Sequence, residues 1–88
     1  MAKFLIGQIV ATPGAIEVME DGEITRLLQR HQSGDWGQVS KDDWQANDFS
    51  LRERTRLLSA YTTQSGTKLW VITEADRSAT TLLLPDEY

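Results

Sequence analysis

Two hydrophobic periods divide this chain. From Leu57 onward the pattern is that of strands. Leu57-Leu58-Ser59-Ala60-Tyr61-Thr62-Thr63 and Lys68-Leu69-Trp70-Val71-Ile72-Thr73 are rich in β-branched and aromatic residues. Gln64-Ser65-Gly66-Thr67 separates them, and Gly66 can take the positive φ that a tight hairpin needs. A third run, Ala79-Thr80-Thr81-Leu82-Leu83-Leu84, follows the polar loop Glu74-Ala75-Asp76-Arg77-Ser78 and is stopped by Pro85. Together they predict a three-stranded antiparallel meander.

The first part of the chain opens with an apolar stretch, Phe4 to Ala11, that reads as a strand with a bulge at Gly7. The period then becomes helical. Thr12 can cap a short helix with Pro13 at its first position, running to about Glu20 and broken by Asp21-Gly22. From Glu23, the residues Ile24, Leu27, Leu28 and His31 recur at i, i+3, i+4 and i+7 up to a stop near Ser33-Gly34. Ser40 caps a third helix, with Asp42 and Asp43 in its first turn where the helix dipole favours acids. The predicted order is β-α-α-α-β-β-β in a single domain, 1–88. This is an α+β fold: a small antiparallel sheet, made of the C-terminal meander and an N-terminal strand, with two to three short helices on one face.

The hairpin pattern also suggests a register. With Ser65-Gly66 as a two-residue turn, Tyr61 lies opposite Trp70, Ala60 opposite Val71 and Ser59 opposite Ile72. Tyr61, Trp70, Ile72 and Leu57 then share one face, and Leu58, Ala60, Leu69 and Val71 the other. One face must pack on the helices. The other is either covered within the monomer or offered to a partner, which makes Tyr61, Trp70 and Ile72 candidate interaction residues and a symmetric homodimer one way to cover them.

Composition narrows the chemistry. The net charge is −4 and the pI near 4.8, which argues against a nucleic-acid binder. No cysteine is present, so disulfides and thiolate metal sites are excluded and a cytoplasmic location is suited. Phe4-Leu5-Ile6 is too short an apolar run for a signal peptide or a membrane span. His31 could serve as a general base oriented by Asp35. It falls, however, on the apolar stripe at the end of its helix, where packing and contact with the last carbonyls is the better expectation.

Asn47 and Asp48 lie in line with Trp44 and Leu51, so they either bond backbone of the His31–Trp36 turn or face a partner or ligand. His31, Asp35, Asn47 and Asp48 are therefore expected as a structural polar cluster. Asp42 and Asp43 point about 100° apart on a helix and make no metal pair. Arg52, Arg54 and Arg56 form a small anion-binding row if extended and scatter if helical; a solvated edge is favoured. No phosphate loop, paired histidine or nucleophile elbow occurs. Catalytic residues, cofactor and metal are all expected to be absent, and the protein is not expected to be an enzyme.

Several motifs carry a resemblance when read together. They are Thr12-Pro13-Gly14-Ala15, Arg30-His31-x-x-Gly34-Asp35-Trp36-Gly37, Asn47-Asp48, Arg56-Leu57-Leu58-Ser59-Ala60-Tyr61 and the long run Gly66 to Ser78. In these the chain resembles a family of bacterial proteins of about its own length found on plasmids, integrated elements and scattered chromosomal sites. Most members are described only as uncharacterised, and some carry the label type I restriction endonuclease subunit M. Trp44 departs from the family's less bulky residue. The glycine-rich strand–turn and the Asn/Asp-Pro-Pro-aromatic tetrad of a methylation subunit are both missing, so the resemblance implies a setting near mobile DNA and defence systems without methyl transfer. The resulting expectation is a non-enzymatic accessory or regulatory protein that binds another protein. The rival is a small nucleic-acid-associated module using Arg52, Arg54, Arg56, Lys68 and Trp70, in which bases stack beside cations.

Overall fold

The structure, a computed structural model, describes residues 2–88. Strand β1 (Gln8–Ala11) leads into α1 (Pro13–Val18), α2 (Glu23–Gln32) and α3 (Lys41–Glu53). Then come β2 (Leu57–Thr62), β3 (Lys68–Thr73) and β4 (Ala79–Leu83), with a closing 3₁₀ turn at Pro85–Glu87. The helix boundaries follow local chemistry. Thr12 accepts from the Ala15 amide and Ser40 from the Asp43 amide, each satisfying an N–H with no partner in its helix. At the end of α2, Asp35 N–H reaches the Arg30 carbonyl and Gly34 N–H the His31 carbonyl, the two bonds of a Schellman stop.

The fold class is the α+β one that the pattern predicts, with one pairing of its own. The sheet runs β1-β4-β3-β2; β2, β3 and β4 form the antiparallel meander, whereas β1 joins β4 in parallel, so the sheet is mixed. Three helices intervene between β1 and the meander, which gives the chain the length a parallel return requires.

The hairpin register differs from the expected one by a single residue. Tyr61 pairs with Leu69, Ala60 with Trp70 and Leu58 with Ile72. The loop has three residues rather than two: Thr63 N–H bonds the Thr67 carbonyl, Gly66 N–H returns to Thr63, and Gly66 sits at φ 87°. That is a three-residue hairpin loop closed by a left-handed glycine. A one-residue change exchanges the faces. Tyr61 therefore turns towards the helices, and Trp70 and Ile72 lie on the opposite face. The proposed Tyr61–Trp70–Ile72 surface is not formed.

On the helix side Ala15, Leu27, Leu28, Tyr61, Leu69, Val71 and Leu82 make the main hydrophobic cluster. On the other face Ile72 and Leu83 are buried and Trp70 half-buried. Tyr88 meets Trp70 edge-on at 5.8 Å, and the Arg56 guanidinium lies 5.2 Å above the Tyr88 ring and donates to its hydroxyl. The last residue of the chain thus shields this face of β3.

Candidate functional site

The single histidine is the centre of a buried hydrogen-bond chain. His31 is fully buried; its Nδ1 lies 2.5 Å from Ser59 Oγ and its Nε2 2.8 Å from Thr73 Oγ1. Thr73 Oγ1 is 2.7 Å from Thr80 Oγ1, which donates to the Ile6 carbonyl at 2.8 Å. Because a carbonyl can only accept, the proton directions are set from that end. Thr80 donates to Ile6, Thr73 donates to Thr80, His31 Nε2–H donates to Thr73, and Ser59 donates to Nδ1. The ring is neutral and of one tautomer. Burial, and secondarily the charge of Arg77, pushes its pKa down to about 3. Ser59 and His31 have the contact of a nucleophile and its base, but both are sealed from solvent. Their arrangement ties α2 to β2, β3, β4 and the segment before β1. His31 packs in the interior as its place on the apolar stripe predicts, but its partners are sheet hydroxyls rather than the expected helix carbonyls.

Asp35 does not orient His31. It accepts from Arg30 Nε at 2.8 Å and from the Gly37 amide at 3.1 Å, while its carbonyl accepts from Tyr61 Oη at 2.6 Å. The Arg30 bond is the main cause that lowers the Asp35 pKa. Arg30 also covers the Tyr61 ring at 4.5 Å, and burial raises the phenol to about 12. Asp48 accepts from Trp36 Nε1 at 3.0 Å. Asn47 does bond backbone, but on β2 rather than in the turn: Nδ2 donates to the Leu58 carbonyl at 2.7 Å and Oδ1 accepts the Leu58 N–H at 3.1 Å.

The basic row does not form. Arg52 is helical, Arg54 takes a left-handed conformation (φ 56°) at the end of α3, and Arg56 lies beyond the helix beside Glu74 and Tyr88. Arg52 instead lies over Phe49. Trp70, the stacking platform of the nucleic-acid reading, faces Tyr88.

The two edges of the sheet are treated differently. Along β2 the outward backbone groups of Leu58 and Ala60 are occupied by the chain itself. Asn47 holds both backbone groups of Leu58, Trp36 carbonyl accepts from Ala60 N–H, and Gln38 N–H donates to the Ala60 carbonyl. Gly37 makes this approach possible at φ 75°, since any Cβ there would collide with the Ala60 carbonyl. Along β1, Gln8 and Thr12 donate inward to Ser78 and Leu82, and the parallel register leaves the N–H and C=O of Ile9 and Ala11 pointing outward. Among the described residues nothing pairs with them. Ile9, Val10 and the nearby Leu5 are 49%, 41% and 77% exposed. An open apolar edge of this kind is a template for another strand.

Sequence reasoning missed this edge, because Phe4–Ala11 reads as a strand without saying where it sits in the sheet. It also passed over Arg77, which the polar loop composition hides. Among the described residues no group of three or more histidine or acidic side chains is gathered as metal ligands, and no helix is long and apolar enough to cross a membrane. Compared with protein-family models, curated proteins and solved structures, the chain matches none.

Proposed function

We propose that this protein is a non-enzymatic accessory module that binds another protein by taking an extended segment of it onto β1. The observation that carries the reading is the contrast between the edges. The chain occupies Leu58 and Ala60 of β2 with Asn47 and the Trp36–Gln38 backbone and leaves Ile9 and Ala11 open beside exposed apolar side chains. Strand addition gains main-chain hydrogen bonds at an open edge and specificity from alternate side chains. The net charge of −4 favours encounter with a basic partner, and the mobile-element and defence setting implied by the sequence motifs supplies partners of that charge, since proteins that handle nucleic acid are basic. The nucleic-acid alternative has less support, because Arg52, Arg54 and Arg56 diverge and Trp70 is shielded.

A photoreactive residue in place of Ile9, introduced in host cells, tests the reading. The expected product is a cross-link to one contiguous segment of a single partner, lost when Val10→Lys is added to the same chain. Cross-linking no stronger than from the same group at Phe49, exposed on α3, contradicts it. A low-salt electrophoretic shift with DNA that fades as salt rises would instead favour the alternative.

A further inference from the structure

A second site lies at the opposite end of the N-terminal segment from β1. Lys3, Phe4, Leu5, Leu51, Arg54 and Arg77 enclose a cavity of about 180 Å³. All three of its charged residues are cationic, in a chain whose overall charge is −4. None of the three has a carboxylate partner among the described residues; the ion pairs there are Arg30–Asp35 and Arg56–Glu74. We propose that this pocket binds a tetrahedral oxyanion, a phosphate group, with Arg77 and Arg54 as its ligands.

Three independent features support the assignment. Arg77 is a buried arginine held rigidly: Nη1 donates to the Thr55 and Glu74 carbonyls at 2.6 and 3.2 Å, and Nη2 to the Ser50 carbonyl at 3.1 Å. Nε has no partner among the described residues, so the guanidinium keeps a donor for a ligand. Carbonyls fix the head without neutralising it, and a planar fixed fork is the usual reader of phosphate oxygens.

The second feature is conformational. Arg54 and Arg77, at φ 56° and 62°, are the two described non-glycine residues with positive φ, and both line this cavity. Arg54 occupies the position after α3 where glycine is the usual occupant. Strained backbone of this kind persists where a side chain is needed for something else.

The third feature is electrostatic. After burial, the like charge of Arg54 is the next cause that holds the Arg77 pKa below its usual value, so the two cations lie close enough to repel. The cavity is below the roughly 300–1,000 Å³ of drug-sized ligand sites, and its size suits one phosphoryl group. Phe4 forms an apolar wall, with the Arg77 guanidinium 5.7 Å from its ring centroid. The site is separate from the β1 edge and stands whether or not strand addition occurs.

The experiment titrates the whole protein with inorganic phosphate at constant ionic strength, followed by ¹H–¹⁵N and methyl NMR, with chloride and acetate as controls. Phenyl phosphate in a parallel titration distinguishes a free anion from a phosphomonoester group; either one binding supports the site. The expected result is a saturable shift confined to Arg77 Nε–H, Phe4, Leu5 and Leu51. Arg54→Gly is the decisive variant, since it removes a ligand while relieving the strained backbone. It should melt at a higher temperature without phosphate and bind phosphate about tenfold more weakly, one charge-assisted contact being worth roughly that factor. Shifts scattered over the surface, acetate binding as well as phosphate, or an Arg54→Gly variant with unchanged affinity would overturn the proposal.

Discussion

His31 shows how one side chain can tie a helix, three strands and the segment before β1 together while carrying no charge. Its folded pKa of about 3 lies far below the ordinary 6.5. Below pH 6.5 the unfolded chain binds a proton that the folded chain refuses, so stability is complete above that value and falls as pH drops towards 3. The loss reaches about 2 kcal/mol at pH 5, from 1.36 kcal/mol per pH unit. Urea unfolding at pH 7, 6 and 5 should show it, and a less stable His31→Gln variant should lose the slope. The lowered carboxyl groups of Asp35, Asp76 and Glu87 stabilise the fold above their ordinary values of 3.8 to 4.5, so their loss begins only below that range and does not add to the slope between pH 7 and 5. Asn47 supplies a second residue-level expectation. Asn47→Ala leaves the Leu58 N–H and C=O without partners and should cost roughly 1–3 kcal/mol, whereas Asp48→Asn, exposed and still able to accept from Trp36, should change stability by less than about 0.5 kcal/mol. The burial of His31 was legible from its place on an apolar stripe. Its partners Ser59 and Thr73 were not, because they lie 28 and 42 residues away in the chain and only the sheet brings them together.

The elements were legible where local chemistry decides and illegible where one residue or a distant partner does. Caps at Thr12 and Ser40 and the stop at Gly34 follow from side-chain type. The hairpin loop does not, because Gln64-Ser65-Gly66-Thr67 suits a two-residue or a three-residue turn, with Gly66 at positive φ in either. That single residue of difference moved Tyr61 into the core and dissolved the proposed face. The end of α3 was hidden because Arg54 stands where a glycine stop would announce it. The parallel pairing of β1 with β4 has no local signal, since Gln8 pairs with Ala79 across most of the chain. It has a sharp consequence for proline. Ile9→Pro removes an outward N–H and should cost less than about 1.5 kcal/mol, while Val10→Pro removes an inward one and should cost about 3 kcal/mol or more. Thermal unfolding of the two variants separates them, and equal losses would mean that β1 is not an edge.

At the scale of the whole molecule, exposed apolar surface is concentrated away from the hairpin. Trp70 is covered by Tyr88, so Trp70→Ala should cost about 1–2 kcal/mol, below the roughly 3–5 kcal/mol of a fully buried aromatic, and leave the sedimentation coefficient unchanged. The sheet is occupied at Leu58 and Ala60 of β2 by its own chain and open at β1, and the proposed function depends on that asymmetry. Amide hydrogen exchange in the free protein reads it directly. Ile9 and Ala11 should exchange fast while Val10, Leu58 and Ala60 are protected, Val10 by β4, Leu58 by Asn47 and Ala60 by Trp36. Binding of the partner should then protect Ile9 and Ala11 alone among these. Ile9 and Ala11 already as slow as Val10 in the free protein, or still fast in the complex, would contradict the account.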